Sequence, residues 1–319
     1  MRAVEVTRFG GPEVLALREL PDPVAGPGQL VVDVAAVDVL FVDARLRAGW
    51  GKEWFTVEPP YVPGNGVAGT VRSVGPDVDS SWLGRRVLAR TGKNNGRTPV
   101  GGYAEQAVAE AFDVEPVPDG LGLPEALTLL HDGPTVALAL HSANVLPGER
   151  VLINAASGSL GTLLVPMLKA AGAEVVGAAR GGHKLDFIRE WGADHAVDYS
   201  TPDWTDGVGE VDVVFDGSGG DIGSAAYQLV RPGGRFLAYG SSAGEFPKTE
   251  PPRKDVTVVG ILDMGKGLDK HAALTDMLAK AAAGEITPLV GQTFPLEQAR
   301  AAHEAIAARQ TVGKTLLLP

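Results

Sequence analysis

The residues best suited to chemistry form a small-residue turn between an apolar strand pattern and a helical pattern. Arg150–Ala155 carries the apolar run of a strand, and helical apolar spacing begins at Leu160. The turn between them has the form A-x-G-x-x-G. Small residues let the backbone approach a pyrophosphate, and the start of the next helix presents unpaired N–H groups to that anion. This order predicts a dinucleotide site made of Ala156, Ser157, Gly158, Ser159, Leu160 and Gly161.

The residue after the following strand indicates which dinucleotide binds. NAD-specific sites place Asp or Glu there, to bind the ribose 2′-hydroxyl. This chain has Arg180 after the strand Glu174–Ala179, with Lys184 further on. Cations suit a 2′-phosphate, so the pattern predicts NADPH as the cofactor. The alternative is a solvated basic helix start, which is disfavoured because the helix dipole repels cations at that end.

These segments resemble the quinone oxidoreductase (zeta-crystallin) branch of the medium-chain dehydrogenase/reductase superfamily. The resemblance continues in both directions along the chain. Its markers are Gly148-Glu149, Val151–Ile153, Gly158, Gly161 and Lys169, and earlier Pro63-Gly64, Val67–Gly69, Gly84 and Gly101–Glu105, and finally Gly313–Leu318. The resemblance implies an α/β protein in which a Rossmann doubly wound parallel sheet is inserted in a GroES-like, partly open β-barrel domain.

Three segments follow from this pattern. Residues 1–115 alternate apolar runs with Pro/Gly-rich turns and predict the β-rich catalytic domain. Residues 116–262 alternate strand and helix signals, which predicts the parallel NADPH-binding sheet. Residues 263–319 are expected to return to the catalytic domain. The predicted elements of the middle segment include Leu123–Ala143 (helix), His195–Tyr199 (strand), Val211–Asp216 (strand), Gly223–Val230 (helix), Arg235–Gly240 (strand) and Val256–Leu262 (strand).

The resemblance assigns further residues to the cofactor. It implies that Gly217-Ser218 and Tyr239-Gly240-Ser241 flank the nicotinamide ribose, that Thr135 lies beside the nicotinamide, and that Tyr199 lies near the 2′-phosphate. Each has a structural alternative. The two segments also suit ordinary βα turns, Tyr199 suits a strand-end core position, and Thr135 suits a helix residue bonded to its own backbone.

The catalytic candidates are Arg45, Asn65 and His131. In zinc-dependent relatives Cys, His and Cys stand where this chain has Leu40, Asn65 and His131. The chain has no cysteine, so thiolate zinc sites and disulfides are excluded, and we expect no metal. His131 is a candidate proton donor after hydride transfer, or else a hydrogen-bonded structural histidine. Asp43 is interpreted as a cap of the short helix that follows it.

An aromatic loop near these candidates suits a flat acceptor. Trp50, Trp54, Phe55 and Tyr61 crowd a segment flanked by Gly and Pro. Their faces could contact a quinone or enone, or could pack this loop on the partner domain.

Charge and composition limit the partners. The chain has 319 residues and a net charge of −11, which argues against nucleic acid as a main partner. The charge-free run 151–168 is better explained by a strand, turn and helix than by a membrane span. The N-terminus has no apolar signal region, so we expect a cytoplasmic protein. The resemblance implies a homodimer.

The sequence thus predicts a zinc-independent, NADPH-dependent oxidoreductase that transfers a hydride to a quinone or related carbonyl-conjugated acceptor. Two alternatives stay open. One is reduction of the C=C bond of enones or enoyl thioesters, which uses the same hydride and a polarised carbonyl. The other is a non-catalytic NADPH-binding sensor.

Overall fold

The computed structural model describes residues 1–93, 97–253 and 255–319. The chain forms two compact units. The first comprises Met1–His131, Ala281–Ala283 and Val290–Pro319, and the second comprises Asp132–Lys280 and Gly284–Leu289. Both ends of the chain therefore belong to the same unit. The boundaries placed after residues 115 and 262 from the sequence stay predictions.

The first unit is built on a small antiparallel barrel. Strands β3, β4, β5 and β6 pair in that order, and β6 pairs back with β3, which closes the ring. The expected partly open barrel is thus closed here, because β3 is long enough to pair with both neighbours. The elements of this unit are β1 (Arg2–Val6), β2 (Leu15–Glu19), β3 (Gln29–Asp38), α1 (Phe41–Arg47), β4 (Gly66–Val74), β5 (Arg86–Thr91), β6 (Gln106–Pro116), β13 (Val290–Pro295), α7 (Ala299–Ala307) and β14 (Lys314–Leu318).

The end of the chain completes this unit. Strand β14 pairs antiparallel with β3, placing Leu316 opposite Asp38, and β13 pairs in parallel with β14. Helix α7 packs its apolar side, including Ala302 and Ile306, on the same hydrophobic core as the barrel strands. Burial of this apolar surface stabilises the unit and brings residues from near both ends of the chain together.

The second unit is a doubly wound parallel sheet. Its strand order is β12-β11-β10-β7-β8-β9, and every neighbouring pair is parallel. Its elements are β7 (Arg150–Asn154), α3 (Ser159–Ala170), β8 (Glu174–Ala179), α4 (Gly182–Glu190), β9 (His195–Asp198), β10 (Val211–Asp216), α5 (Gly220–Gln228), β11 (Val230–Ala238) and β12 (Thr257–Gly260). Helices α2 (Leu123–Ala143) and α6 (Lys270–Ala282) run across the unit boundaries. The α/β fold class with a parallel doubly wound sheet is confirmed.

Most predicted elements lie within a few residues of their positions, and one helix and strand differ more. Helix α5 begins at Gly220 and ends at Gln228, and β11 already begins at Val230. The segment Pro232–Gly234 was expected to precede the strand, but it lies within β11. The pairing of β10 with β11 has an irregular register between Val211 and Val213, and this irregularity accommodates the segment. A bulge lets the ladder continue past residues that would otherwise end it. No helix within the described ranges is long and apolar enough to cross a membrane.

A buried chain of polar side chains joins α1 and α7 in the first unit. Arg47 Nη1 lies 3.0 Å from His303 Nδ1, and His303 Nε2 lies 2.9 Å from Tyr103 Oη. The Tyr103 hydroxyl is 3.4 Å from Asp43 Oδ2. A guanidinium can only donate, so His303 Nδ1 accepts and Nε2 carries the proton. The hydrogen bonds therefore run in one direction, from Arg47 through His303 and Tyr103 to the Asp43 carboxyl group.

Two members of this hydrogen-bond chain, Asp43 and His303, have pKa values shifted in opposite directions. Burial, followed by repulsion from Asp38, raises the pKa of Asp43 to about 7. Burial, followed by the positive charge of Arg47, lowers the pKa of His303 to about 3. Both shifts favour the neutral form, as expected where water cannot solvate a charge.

We predict that these groups make opposite contributions to the pH dependence of stability. The folded pKa of Asp43 lies above its unfolded value of about 3.9, so its contribution to the free energy of unfolding falls as pH rises from about 4 to 7. Relative to the parent, Asp43→Asn should therefore gain stability over this range, by at most about 1.4 kcal/mol per pH unit. Urea unfolding at a series of pH values measures the difference.

His303→Gln is the matched variant. The folded pKa of His303 lies below its unfolded value of about 6.5, so its contribution rises with pH from about 3 to 6.5. Relative to the parent, His303→Gln should lose stability as pH rises through that window. If the difference in the free energy of unfolding between each variant and the parent does not change with pH, the pKa shifts assigned to Asp43 and His303 are wrong.

Candidate functional site

The small-residue turn lies between β7 and α3, as the sequence predicts. Ala155 follows the strand with φ of 57°, a left-handed conformation that costs a non-Gly residue about 1–2 kcal/mol. Gly158 then has extended backbone geometry and directly precedes α3. Strained backbone of this kind is concentrated at ligand sites, since the surrounding fold must impose it.

Two glycines of the turn have different surroundings. A Cβ on Gly161 would lie 2.4 Å from the Ala156 oxygen, so this glycine lets the helix pack on the backbone of the turn. The contact is with the turn that follows β7. A Cβ on Gly158 would meet within 4 Å only the Ala155 oxygen, at 3.1 Å. The space beside Gly158 is therefore available to a ligand.

The strand order places this turn at a ligand-binding position. Strand order reverses between β7 and β10, because β8 and β9 lie on one side of β7 and β10 to β12 on the other. Ligands of open α/β sheets bind in the crevice at the carboxyl ends of the strands where the order reverses. The turn after β7 and the turn after β10 both border this crevice.

The turns after β10 and β11 pack on each other. A Cβ on Gly240 would lie 2.2 Å from the Gly217 oxygen, and one on Gly217 would lie 3.0 Å from the Tyr239 ring. Ser218 is buried, and its Oγ has no hydrogen-bond partner among the residues that the structure describes. A buried hydroxyl without a partner is costly, so this oxygen marks a place where a polar ligand group fits. Ser241 follows Gly240 and is partly exposed.

Asp216 organises this part of the site. Its carboxylate accepts hydrogen bonds from Asn154 Nδ2 at 3.0 Å and from the backbone N–H groups of Ser218 and Gly219. Burial raises the pKa of Asp216 although these donors oppose the effect. Burial, with the charges of Asp216 and Asp132, likewise raises the pKa of Tyr239.

The predicted phosphate cations differ in exposure. Arg180 is exposed directly after β8, and its charge helps to lower the pKa of Asp198, against burial and together with hydrogen bonds from Ser200 and Gly181. Lys184 is only 7% exposed. Arg180 is therefore the residue of this pair that presents its charge at the surface. Tyr199 packs against the hydrophobic core of the second unit, as its structural alternative described.

Asp132 and Thr135 lie on α2 within the second unit. The Ser159 hydroxyl at the start of α3 hydrogen-bonds to the buried Asp132 carboxylate. A negative charge is favourable beside a helix N-terminus. The sequence analysis missed Asp132, because a lone Asp within a helix has no recognisable spacing. Thr135 is partly buried, one turn further along the helix.

The first unit holds the three catalytic candidates at two places. The Arg45 guanidinium lies 4.1 Å from the centroid of the Trp50 ring, and Trp50 is 5.3 Å from the Trp54 ring. Burial lowers the pKa of Arg45. Trp54 is exposed, whereas Tyr61 belongs to a core cluster with Val6 and Leu46. Tyr61 is therefore part of the hydrophobic core and not of the predicted aromatic loop.

His131 and Asn65 lie near each other around Gly66. His131 Nδ1 is 2.9 Å from Asp38 Oδ2, and a Cβ on Gly66 would lie 2.8 Å from His131 Cε1. Asn65 Oδ1 is buried and has no hydrogen-bond partner in the described part of the chain. Asp43 Oδ2 accepts the backbone N–H of Leu40 at 2.9 Å. Asp43 thus contacts the start of a helix, but the helix begins at Phe41, before Asp43, and does not follow it as expected.

The metal-ligand positions of zinc-dependent relatives hold Leu40, Asn65 and His131 in this chain. Within residues 1–93, 97–253 and 255–319, no group of His, Cys, Asp and Glu could hold a metal ion. Of these three positions, Leu40 offers no ligand atom and Asn65 only an amide, so the thiolate and imidazole set of a zinc site is not present at them.

Comparison with known proteins identifies the class of this fold and site. The model of the alcohol dehydrogenase GroES-like domain matches residues 26–119, and that of the zinc-binding dehydrogenases matches residues 191–317. A 2-haloacrylate reductase of Burkholderia is 32% identical over 99% of this chain and 98% of its own length. The quinone oxidoreductase of Sus scrofa is 32% identical over 100% of this chain and 98% of its own.

Solved structures agree. A mycobacterial protein in complex with NADPH has a TM-score of 0.86 at 29% identity, with 100% of both chains covered. The fold and its crevice thus define an oxidoreductase of the dinucleotide-binding type. The chain belongs to the medium-chain dehydrogenase/reductase superfamily, in its quinone oxidoreductase branch.

We predict that the two turn glycines separate binding from stability. Gly158→Val should leave the melting temperature nearly unchanged and abolish NADPH binding, because the new side chain fills the space beside the turn. Gly161→Val should lower stability by about 1–3 kcal/mol through overpacking against Ala156. Cofactor titration and thermal melts on both variants test this. Parental NADPH affinity in Gly158→Val would place the phosphate cradle elsewhere.

Proposed function

We propose that this oxidoreductase uses NADPH to transfer a hydride to a quinone or another carbonyl-conjugated acceptor, without a metal ion. The observation that carries the proposal is the exposed Arg180 at the end of β8, beside the small-residue turn at the point where the strand order reverses. A 29% identical relative that was solved with NADPH supports the choice of cofactor.

The residues present fit NADPH. The turn from Ala156 to Gly161 would hold the pyrophosphate, and Arg180 the 2′-phosphate. The turns after β10 and β11 would contact the nicotinamide ribose, with Ser218 Oγ available as a hydrogen-bond partner. Thr135 would lie beside the nicotinamide. When bound, NADPH supplies the hydride from nicotinamide C4.

The first unit would bind and polarise the acceptor. Trp50 and Trp54 offer aromatic faces for a flat ring, and the Arg45 guanidinium beside them is a cation that can stabilise negative charge developing on a carbonyl oxygen. This role needs no thiolate and no metal.

A second candidate is reduction of an activated C=C bond. The 2-haloacrylate reductase that is 32% identical over 99% of this chain favours it, since that name describes an α,β-unsaturated acid as the substrate. Both candidates place a hydride on a conjugated system whose carbonyl oxygen gains negative charge.

Steady-state oxidation of NADPH and NADH against quinones, enones and 2-haloacrylate tests the proposal. We expect turnover with NADPH that exceeds turnover with NADH, and the preferred acceptor class decides between the two candidates. Zinc analysis and chelator treatment accompany the assay, and activity should survive the chelator. NADPH binding without oxidation by any acceptor would instead support the sensor.

Arg180→Ala should weaken NADPH binding about tenfold or more and leave NADH binding nearly unchanged, because one charge-assisted phosphate contact is lost. Arg189→Ala is the matched control, since Arg189 is also exposed on α4 and pairs with Asp186. An equal effect of both substitutions on NADPH would contradict the assignment.

We further propose that the protein is a homodimer formed through strand β12. Among described residues, β12 pairs only with β11, so its other edge can accept a second copy. Val258 is 44% exposed on this strand, and Leu262 just beyond it is 92% exposed. An apolar open edge strand is a ready template for pairing with another chain.

Val258→Lys should therefore shift a dimer toward monomer in sedimentation experiments, since a charge on the strand opposes the pairing. Val24→Lys is the control, because Val24 is an exposed apolar residue of the first unit. A monomeric parent would overturn the proposal. The cytoplasmic location and the absence of nucleic-acid and membrane partners stay predictions.

A further inference from the structure

A buried carboxylate stands behind His131. Asp38 ends strand β3 and is fully buried. Its Oδ2 lies 2.9 Å from His131 Nδ1 on α2 and 3.3 Å from Lys314 Nζ at the start of β14. The pairing of β14 with β3 sets Lys314 near the carboxylate. Three elements from distant parts of the chain thus converge on one oxygen atom.

The backbone leaves space for this arrangement. A Cβ on Gly66 would lie 2.5 Å from Asp38 Oδ1 and 2.8 Å from His131 Cε1. No side chain larger than hydrogen fits at this position while the Asp38–His131 contact is kept. Gly66 begins β4, a central strand in which glycine otherwise weakens packing.

The charges determine which histidine nitrogen carries the proton. Burial would raise the pKa of Asp38, yet the charges of Lys314 and His131, together with their hydrogen bonds, lower it overall. Asp38 is therefore ionised and can only accept hydrogen bonds. His131 Nδ1 must donate, and Nε2 is the nitrogen that takes up and releases a proton. The His131 side chain as a whole is 20% exposed, although its Nε2 atom is buried in this structure, whereas no part of the Asp38 side chain is accessible.

We propose that Asp38 is a positioning residue that holds His131 as the proton donor of the reductase reaction, with Lys314 keeping the carboxylate ionised. This inference rests on the proposed function. When bound, NADPH would supply the hydride for the new bond to the acceptor, and the displaced electron pair would lie on the carbonyl oxygen. Protonated His131 then transfers its Nε2 proton to the resulting anion, and the neutral imidazole regains a proton from solvent. The sum is NADPH, acceptor and one proton giving NADP⁺ and reduced acceptor.

The charged groups around His131 come from several elements. Asp38 faces it from β3 and Lys314 is paired with Asp38 from β14. Asp43 on α1 interacts with both Asp38 and Lys314. Arg90 on β5 donates to the Leu130 carbonyl, one residue before His131, and Asp132 follows it on α2. Of these, Asp38 contacts the imidazole directly, at 2.9 Å, so its removal acts on His131 without an intermediate group.

The tautomer is tested first, on the whole protein without substrate. ¹⁵N-histidine NMR of the parent, with His131→Gln used to assign the signal, should show the Nδ1–H form for neutral His131. An Nε2–H form would overturn the proposal, whatever the activity.

The reaction is tested with Asp38→Asn. The kcat should fall more than the KM of the acceptor changes, since a carboxylate no longer holds His131 with Nδ1 as the donor. The solvent isotope effect in D₂O should rise and the primary isotope effect with 4-deuterated NADPH should fall, because proton transfer becomes slower. Asp33→Asn is the control, as Asp33 lies on the same strand in an exposed pair with Arg72.

Asp38→Asn leaves Lys314 buried beside a neutral amide and could unfold the unit. Asp38→Asn with Lys314→Met removes both charges and serves as the second variant. If either folded variant turns over with the parental kcat and isotope effects, the role is only structural and the inference fails. A failure of the proposed function would give a different result, because the parent protein itself would then not oxidise NADPH with any of the acceptors.

Discussion

The hydrogen bond between Asn154 and Asp216 joins β7 and β10, the two strands between which the strand order of the parallel sheet reverses. In a parallel sheet all strands end at the same edge, so turns that are distant in sequence meet there. Asp216 also accepts the first N–H groups of the turn after β10, and it thereby shapes that turn around its carboxylate. The small-residue turn after β7 begins on the other side of the same hydrogen bond. The geometry of the dinucleotide site depends on this one contact.

Close backbone packing around that contact leaves little space for a ligand beside most of the glycines of the site. Gly217 and Gly240 bring two turns together, and Gly161 brings α3 onto Ala156, each at distances that no side chain could accommodate. Gly158 is different, because the space beside it is open. The glycines of the site therefore have two physical roles. Most permit packing within the protein, and one leaves room for a bound group.

The first unit treats two buried carboxyl groups in opposite ways. Asp38 has a cation and an imidazole beside it, so its pKa is lowered despite burial. Asp43 has only weaker donors and lies near the charge of Asp38, so its pKa is raised to about 7. Burial alone would make both neutral, and the difference comes from Lys314 and His131. One carboxyl group is thus an ionised partner for a histidine, and the other, in its neutral form, ends the hydrogen-bond chain that begins at the Arg47 guanidinium.

Local patterns in the sequence were sufficient to predict the turn at Ala156–Gly161, the alternation of strands and helices and the basic residue after β8. The resemblance of these motifs to a known family indicated the class of the protein. Apolar periodicity and turn chemistry act over a few residues, so they can be read without the fold. Four other features could not be predicted in this way. They are the closure of the barrel, the burial of Lys184, the place of Tyr61 in the core and the contact of Ser159 with Asp132. The contact between Asp38 and His131 joins residues 93 positions apart, and Lys314 reaches it from the last strand. Only the pairing of β3 with β14 and the placement of α2 decide which groups share the low-dielectric interior, and that sharing determines their charge.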